Sequence, residues 1–325
     1  MPQEIRFATF NAFNLAPPGA KLYDKLEPLT EQQYEAKLDW TAQQLDRLDA
    51  DVIGFQEIFS QAVLREVLAR TRRYRHASHA GFDPEPGAER LTPCLALVSR
   101  LPLAEPAVAY ADFPAGVAMP AGSRDADRFA RAPLHAQVLL PDGRGVDVLV
   151  VHLKSRRPDY RNGDSAADPL LFALANLRSL IRRGTEAVAL RVLLTELGRR
   201  SGRPRVVLGD FNDVANSVTT GIVLGEGEGD EAGHGPVERM YDSKQIQLRQ
   251  DYLCHVGYTN IHDGHYMTID HILVSEEFNP TSRHAIGAVL DVTYLNDHLL
   301  LDQPQASDHG QVLARIRLYG ARDPA

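Results

Sequence analysis

Short apolar runs recur along the chain, and most of them end in polar side chains. Runs of this kind between turn-forming residues are typical of strands buried in a β-sheet. Two longer stretches, about 31–48 and 168–200, carry apolar residues near helical spacing and predict helices. The strands are predicted at 5–11, 51–58, 94–100, 134–140, 146–155, 205–211, 268–275, 285–292 and 311–319.

The order of these elements favours an α/β fold with largely antiparallel or mixed sheets, because strands and helices alternate without a strict βαβ repeat. The runs 134–140 and 146–155 flank the sequence PDGRG and predict a β-hairpin. We expect one domain over residues 1–325, with loop insertions near 155–168 and 221–238. The second of these is rich in glycine and glutamate, which is typical of a long surface loop.

The composition is that of a soluble globular protein, with 44% hydrophobic and 24% charged residues in a chain of 325. No apolar run approaches the roughly 18 residues that span a bilayer, and no secretory signal precedes the first strand. The two cysteines, Cys94 and Cys254, are too few for a disulfide framework and lack the spacing of a zinc site. These features favour a cytoplasmic protein and leave its oligomeric state open.

The net charge of −8 limits the kind of nucleic acid the chain can hold. Proteins that bind long duplexes across their surface usually present a basic face. Positive charge for an anionic substrate must therefore be concentrated locally.

The strand ends share one chemical character. An amide or carboxylate end is typical of a turn when taken alone, but six such ends are difficult to explain by turn chemistry, which also uses Ser, Gly, Pro and Lys. The residues are Asn11 and Asn14; Gln56 and Glu57; His152 and Lys154; Asp210, Asn212 and Asp213; Asp270 and His271; and Ser307, Asp308 and His309.

Taken in order, this set resembles the motifs of the endonuclease/exonuclease/phosphatase superfamily, the group built like deoxyribonuclease I. The resemblance runs from TFNAFN near the N-terminus to SDHGQV before the last strand. It implies a four-layer α-β-β-α sandwich of two mostly antiparallel or mixed sheets flanked by helices. It also implies hydrolysis of a phosphate ester with Mg²⁺ or Mn²⁺ as the cofactor.

The resemblance implies a metal site formed by Glu57, Asn11 and Asp308. Magnesium prefers oxygen ligands, and it is usually bound through only one or two carboxylates. Glu57 is the first expected ligand, Asn11 is expected beside it, and Asp308 is a candidate near the same ion.

Five further residues resemble the catalytic groups of the superfamily. Asp210 resembles the carboxylate that activates water, and Asn212 resembles the amide that orients the phosphoryl group. His309 resembles the histidine at the scissile phosphate, with Asp270 fixing its tautomer and favouring its charged form. His152 resembles a second imidazole donor to the phosphoryl oxygen.

Substrate binding is expected from basic residues near these motifs. Arg131 precedes a strand at a position where the family often has a phosphate-facing arginine. Lys154, Arg156, Arg157 and Arg161 lie together beyond His152 and predict a local basic patch. A solvated face of the protein is the alternative interpretation.

Phe13 departs from the pattern of abasic-site endonucleases, many of which have an acid two positions after the first asparagine. This departure, together with the lack of an extended basic or aromatic segment, argues against a DNA-repair role. The sequence leaves open whether four further residues join the site: Asp213, which is equally typical of a helix cap, His262, His265 and His271.

The function predicted is metal-dependent hydrolysis of phosphodiesters by a nuclease-like enzyme. Its partner would be an anionic phosphodiester such as a single-stranded or short nucleic acid. One alternative is a phosphatase or phospholipase C-type hydrolase that acts on small or lipid phosphates. Another is a non-catalytic binding module, which the presence of Glu57, Asp210 and His309 disfavours.

Overall fold

Two six-stranded β-sheets pack face to face in the computed structural model. The structure describes residues 3–84, 91–121, 123, 126–161, 163–225, 238–249, 257–301 and 303–320. The strands are β1 (Gln3–Leu15), β2 (Val52–Ile58), β3 (Ser78–Gly81), β4 (Cys94–Ser99), β5 (Val108–Ala109), β6 (Leu134–Leu139), β7 (Gly145–His152), β8 (Arg205–Asp210), β9 (Met240–Asp242), β10 (Asn260–His262), β11 (His265–Met267), β12 (Asp270–Ser275), β13 (Gly287–Leu295) and β14 (Gln311–Leu318).

The strand orders are β13-β14-β1-β2-β4-β3 in the first sheet and β5-β6-β7-β8-β12-β9 in the second, with β10 and β11 forming a separate hairpin. Both sheets are mixed. In the first, β1 and β2 are parallel, and in the second β7 and β8 are parallel. The remaining pairings are antiparallel.

The helices are α1 (Glu31–Leu48), α2 (Gln61–Arg70), α3 (Pro169–Ser201), α4 (Val218–Leu224) and α5 (Ser243–Ile246), with short 3₁₀ turns at Glu276–Phe278 and Asp297–Leu300. Sequence signals mark the ends of the long helices. Thr30 and Gln33 form a reciprocal capping box at the start of α1. Asp168 caps α3 and Gly202 ends it in the left-handed conformation.

Three apolar layers join the four layers of the fold. Side chains such as Phe7, Leu97 and Leu208 fill the space between the two sheets. A second layer packs α1 and α2 against the outer face of the first sheet. A third packs α3 and α4 against the outer face of the second sheet. The predicted four-layer α/β sandwich is therefore confirmed.

The predicted elements differ from the observed ones mainly at their ends. The hairpin of β6 and β7 is confirmed, and the predicted long helix is the continuous helix α3. Helices α2 and α4 and several strands of two to four residues were not predicted, because such short elements carry little periodicity. The predicted loop 221–238 is wrong at its start, since residues up to Leu224 belong to α4; residues 226–237 lie outside the described part. No described helix combines the length and hydrophobicity needed to cross a membrane.

Gly54, in β2 of the first sheet, lies at a close approach to the second sheet. A Cβ atom at this position would lie 2.8 Å from Leu208 Cβ and 3.0 Å from Val150 Cγ2. These contacts are shorter than normal van der Waals contacts, so even a methyl group would force the sheets or their side chains to move.

We therefore expect Gly54→Ala to lower the free energy of unfolding by about 1–3 kcal/mol, the usual cost of overpacking. Gly320→Ala is the matched control, because nothing lies within 4 Å of a Cβ at that position. Urea denaturation of both variants measures the difference. A Gly54→Ala protein as stable as the control would show that the sheets are not closely packed here.

Candidate active site

The strand ends meet at one edge of the sandwich. The C-terminal ends of the parallel strands β1 and β2 face the C-terminal ends of β7 and β8 in the opposite sheet. In the second sheet, His152 pairs with Asp210 across β7 and β8. Asp270, the first residue of β12, pairs with Asp210 from the other side. The sheet register therefore places these three side chains in adjacent positions.

Asp210 is at the centre of the hydrogen-bond network. Its Oδ2 atom accepts hydrogen bonds from Asn11 Nδ2 and from Asn212 Nδ2, both at 3.2 Å. Its Oδ1 atom accepts the Asn212 backbone N–H at 2.7 Å. His152 Nε2 lies 3.3 Å from Asp210 Oδ2. The bond from Asn11 connects the two sheets at the site.

His309 and Asp270 form a buried pair next to Asp210. His309 Nδ1 lies 2.8 Å from Asp270 Oδ2, and His309 Nε2 lies 3.9 Å from Asp210 Oδ2. Thr259 holds the start of β12, since its Oγ1 accepts the backbone N–H groups of Ile269 and Asp270. This threonine was missed by the sequence analysis, because nothing in the local sequence distinguishes it.

Ser307 connects the loop before β14 to the end of β1. Its Oγ donates to the Asn11 carbonyl at 2.7 Å and accepts the His309 backbone N–H at 3.0 Å. The serine of the SDHGQV motif is thus a positioning residue that sets His309 beside Asn11.

Burial and neighbouring charges perturb the three buried groups differently. Burial and the nearby Asp270 carboxylate raise the pKa of Asp210 to about 7. Burial opposes charge on His309, but the carboxylates of Asp270 and Asp210 outweigh it and raise its pKa well above the usual value. Burial, Arg131 and His309 lower the pKa of His152 well below its usual value, so this imidazole is neutral.

Glu57 lies at the end of β2 with its Oε2 atom accepting the Asn14 backbone N–H at 3.1 Å. Burial and the Asp308 carboxylate both raise the pKa of Glu57. Asp308 itself is half exposed. Mutual repulsion of two carboxylates is relieved by a cation between them. The Oδ1 atom of Asn14, whose backbone N–H binds Glu57, is buried without a hydrogen-bond partner among the described residues. These oxygen donors fit a divalent metal ion.

Asp210, Asp270 and His309 also lie close enough for their ligand atoms to share an ion, within 4.8 Å of one another. However, the hydrogen bond between His309 and Asp270 already uses one atom of each. The other Asp270 oxygen, Oδ1, is buried without a hydrogen-bond partner among the described residues. This cluster is therefore one candidate metal position, and the ligand set Glu57, Asn11 and Asp308 stays a prediction.

Lys37, on helix α1, is a buried cation that the sequence analysis did not identify. Its Nζ lies 5.5 Å from the centre of the Phe13 ring. Burial lowers the pKa of Lys37 to about 8, although Asp308 and Glu57 act in the opposite direction. Its sequence position, within an amphipathic helix, gave no signal of a role at the site.

The backbone turns sharply at three of the strand ends. Phe13, Asn14, Glu57 and Asn212 all have positive φ values, between 48° and 58°. Non-glycine residues in this region cost roughly 1–3 kcal/mol each and persist where the surrounding structure holds them. The unusual conformation directs Glu57 and Asn212 into the site.

The predicted basic residues divide into two groups. Arg131 lies beside the site, where its charge acts on Glu57 and His152, and it donates to the Leu153 carbonyl. Lys154 instead donates to the carbonyls of Ser155 and Arg157 and to Ser179.

Arg156 is paired with Asp213, while Arg157 is exposed. The four predicted cations from 154 to 161 therefore do not form one free patch, and their role in substrate binding stays a prediction.

The residues that the sequence left open lie around this centre. Asp213 binds Arg156, Arg183 and the Thr219 hydroxyl, which makes it an anchor for surrounding elements. His271 lies against the Phe211 ring and binds the Asp213 carbonyl. The remaining two, His262 and His265, are exposed on the hairpin of β10 and β11.

Three solved structures have a similar fold over nearly the whole chain. An endonuclease/exonuclease/phosphatase from Bacteroides vulgatus is 18% identical, with a TM-score of 0.60 and coverage of 98% of this chain and 100% of that one. A mannosyl-6-phosphatase from Bacteroides thetaiotaomicron is 16% identical, with a TM-score of 0.59 and coverage of 96% and 99%. The human Nocturnin catalytic domain with a bound sulfate anion is 15% identical, with a TM-score of 0.59 and coverage of 97% and 95%.

At these identities the similarity shows the fold alone. No curated protein sequence matches the chain significantly. The sequence model of the Endonuclease/Exonuclease/phosphatase family, in contrast, matches residues 8–309 and so spans all the strand ends described above. The chain belongs to this family, whose members are phosphoester hydrolases that depend on divalent metal ions.

Proposed function

We propose that the protein is a phosphodiesterase, nuclease-like in its mechanism, that hydrolyses compact diesters or short and single-stranded nucleic acid with Mg²⁺ or Mn²⁺. The observation that carries this proposal is the balance of charge at the site. Four carboxylates and three cations act on one another there: Glu57, Asp210, Asp270 and Asp308, with Lys37, Arg131 and His309. His271 also acts on Asp270, but its charge is compensated by its partner Asp242.

With these seven groups ionised, the site has one net negative charge. One divalent ion changes this to one net positive charge, which matches the single negative charge of a phosphodiester. A phosphomonoester carries up to two negative charges at neutral pH. The second of these charges lacks a matching cation in a buried site, where an unpaired charge is costly.

The residues have distinct roles in the proposed reaction. Asp210 accepts a proton from the attacking water, since its raised pKa suits a general base near neutral pH. His309, held by Asp270, is a charged donor to a phosphoryl or leaving oxygen. His152 supplies a neutral N–H donor. Asn212 donates to Leu153 and Asp210 and so holds the base in position.

The metal ion would be held by Glu57, with Asn11 and Asp308 beside it. When bound, it neutralises charge on the phosphoryl group as a Lewis acid. The raised pKa of Glu57 supports this assignment, because it shows that the repulsion between the Glu57 and Asp308 carboxylates is not fully neutralised by the protein's own cations.

Long duplex DNA is a less suitable substrate than a short strand. Lys154 and Arg156 are engaged within the protein, and the whole chain is acidic. We therefore propose contacts with only a few phosphates, equivalent to roughly two to four in the salt dependence of binding.

A phosphatase is the second candidate, because the similar structure from Bacteroides thetaiotaomicron is described as a mannosyl-6-phosphatase. The deciding experiment compares kcat/KM for bis(4-nitrophenyl) phosphate and 4-nitrophenyl phosphate in the presence of Mg²⁺ or Mn²⁺. We expect the diester to be preferred by at least about tenfold, equivalent to about 1.4 kcal/mol in transition-state binding.

Asp210→Asn is the control for contaminating enzymes. The substitution is nearly isosteric, so the variant should keep the melting temperature of the wild type. Its rate of hydrolysis of the true substrate should fall roughly 10²-fold or more. Preference for the monoester would favour the phosphatase. If the wild-type protein and Asp210→Asn are both inactive on diesters, monoesters and oligonucleotides, a non-catalytic binding module is favoured.

We expect chelation with EDTA to abolish activity and Mg²⁺ or Mn²⁺ to restore it. Glu57→Gln should raise the half-saturating metal concentration by roughly tenfold or more, because one charged ligand is lost. Glu35→Gln is the matched control, since Glu35 is an exposed partner of Arg70 away from the site. Metal titrations of activity measure the effect. An unchanged half-saturating concentration in Glu57→Gln would remove Glu57 from the metal site.

The pair of His309 and Asp270 should act as one unit. Each single variant, His309→Ala and Asp270→Asn, should lower kcat roughly 10²-fold or more. The double variant should lose little beyond the more severe single variant, because coupled residues are non-additive. The matched control is the pair His135 and Asp147, whose side chains are 3.0 Å apart and away from the site. Variants of this pair should change melting rather than kcat. Multiplicative losses would show that His309 and Asp270 act separately.

A further inference from the structure

Helix α3 presents apolar side chains on the face directed away from the sheet. The stripe consists of Leu170, Leu174, Leu177, Ile181 and Val188, with Leu180 beside it, and these six side chains are between 36% and 67% exposed. The spacing of four, three and four residues places the first four members on one line along the helix. Val188 continues the line after Gly184. A charged face is the normal finding on a solvent-exposed helix.

Three polar side chains of this half of α3, Ser179, Arg183 and Glu186, are buried and point inward. Ser179 donates to the Ser155 carbonyl at 2.8 Å. Arg183 Nε donates to Asp213 at 3.2 Å. Glu186 accepts the backbone N–H groups of Ala130 and Lys154 at 2.9 and 2.8 Å. Rotating the helix to bury the leucines would break these bonds, so the apolar stripe must face outward.

From this arrangement we propose that the stripe is the contact surface of a homodimer, in which the α3 helices of two copies pack against each other. The six side chains expose roughly 500 Å² of apolar surface per copy, at the upper end for a surface patch on a monomer. Two copies would bury roughly 1,000 Å² in total, the lower bound for a specific interface.

The stripe is suited to an identical partner. A two-fold interface requires a surface that is complementary to itself. The stripe carries no charged residue, so two copies meet without repulsion, and its three-four spacing is the spacing with which helices interlock.

A groove of about 360 Å³ lies at one end of the stripe. Its floor includes Gly184, where a Cβ would meet nothing within 4 Å, and Val117, Val188 and Ile222 are among its walls. In an antiparallel pair centred near residue 179, the partner's Leu174 would enter this groove. The two-fold axis repeats the contact at the other end.

A membrane surface fits the stripe less well. Amphipathic helices that bind membranes usually carry free lysine or arginine on the polar face that borders the apolar one. Here Arg178 is bound to Asp164, and Arg182 is bound to Glu186. The net charge of −8 also disfavours anionic lipid.

Sedimentation velocity and light scattering of the full chain, up to about 100 μM protein, test the proposal. We expect the wild-type protein to be a dimer. Leu177→Lys and Ile181→Lys should each raise the dimer dissociation constant by at least about 100-fold, because a charge would be buried opposite its own copy. Leu300→Lys is the matched control, since it adds the same charge at an exposed leucine off the stripe and should leave the dimer intact.

Gly184→Leu tests whether the dimer can be lost while each copy stays folded. A leucine should fill the groove and dissociate the dimer, while the free space around Gly184 and the better helix propensity keep the monomer folded. Circular dichroism melting checks this. A wild-type monomer at every concentration would overturn the proposal, and so would stripe variants that still dimerise. Wild-type monomer that floats with vesicles of phosphatidylcholine and phosphatidylserine would instead identify a membrane as the occupant.

Discussion

Two carboxylates that lie side by side in the interior are the constraint on which the site depends. Asp210 and Asp270 are directly paired across neighbouring antiparallel strands, and both are almost completely buried. Like charges in this position repel each other and resist ionisation. The imidazole of His309 lies against both of them, at 2.8 and 3.9 Å. The two carboxylates raise the pKa of His309 well above its usual value, although burial opposes them. The raised pKa of Asp210 and the charge of His309 are two consequences of the same arrangement.

The surrounding backbone is organised to hold this arrangement. Left-handed residues at the ends of β1, β2 and β8 direct Glu57 and Asn212 inward, at a conformational cost that three packed apolar layers offset. Thr259 and Ser307 add hydrogen bonds that connect β12, β14 and β1. Strain of this kind at a site that is otherwise rigid is typical of preorganised catalytic groups.

Support of the site also explains the unusual surface of α3. Arg183 binds Asp213, and Glu186 binds the segment that follows β7. The inward face of the helix is therefore occupied by polar contacts. The apolar residues of the same helix are left on the outside. Local support of the site and the proposed dimer contact are therefore two faces of one helix. A substitution on the inward face would be expected to affect both.

The sequence by itself determined the chemical groups of the site and the class of fold. Apolar runs that end in Asn11, Glu57, His152 and Asp210, and one that begins at Asp270, are local patterns that the sequence shows directly. The positions of most strands followed from the same runs. Short elements such as α4 were not predicted, because a few residues do not show a clear hydrophobic periodicity.

Only the tertiary structure decided how these groups interact. Asn11 and Asp210 are 199 residues apart in the chain and 3.2 Å apart in space, a distance that no local pattern contains. The fold placed Lys37, a helix residue with no signal in the sequence, within range of the Glu57 and Asp308 carboxylates. It also engaged Lys154 with backbone carbonyls. Charge and burial depend on all neighbours at once, so the free cations of a site are decided by the folded chain rather than by residue type.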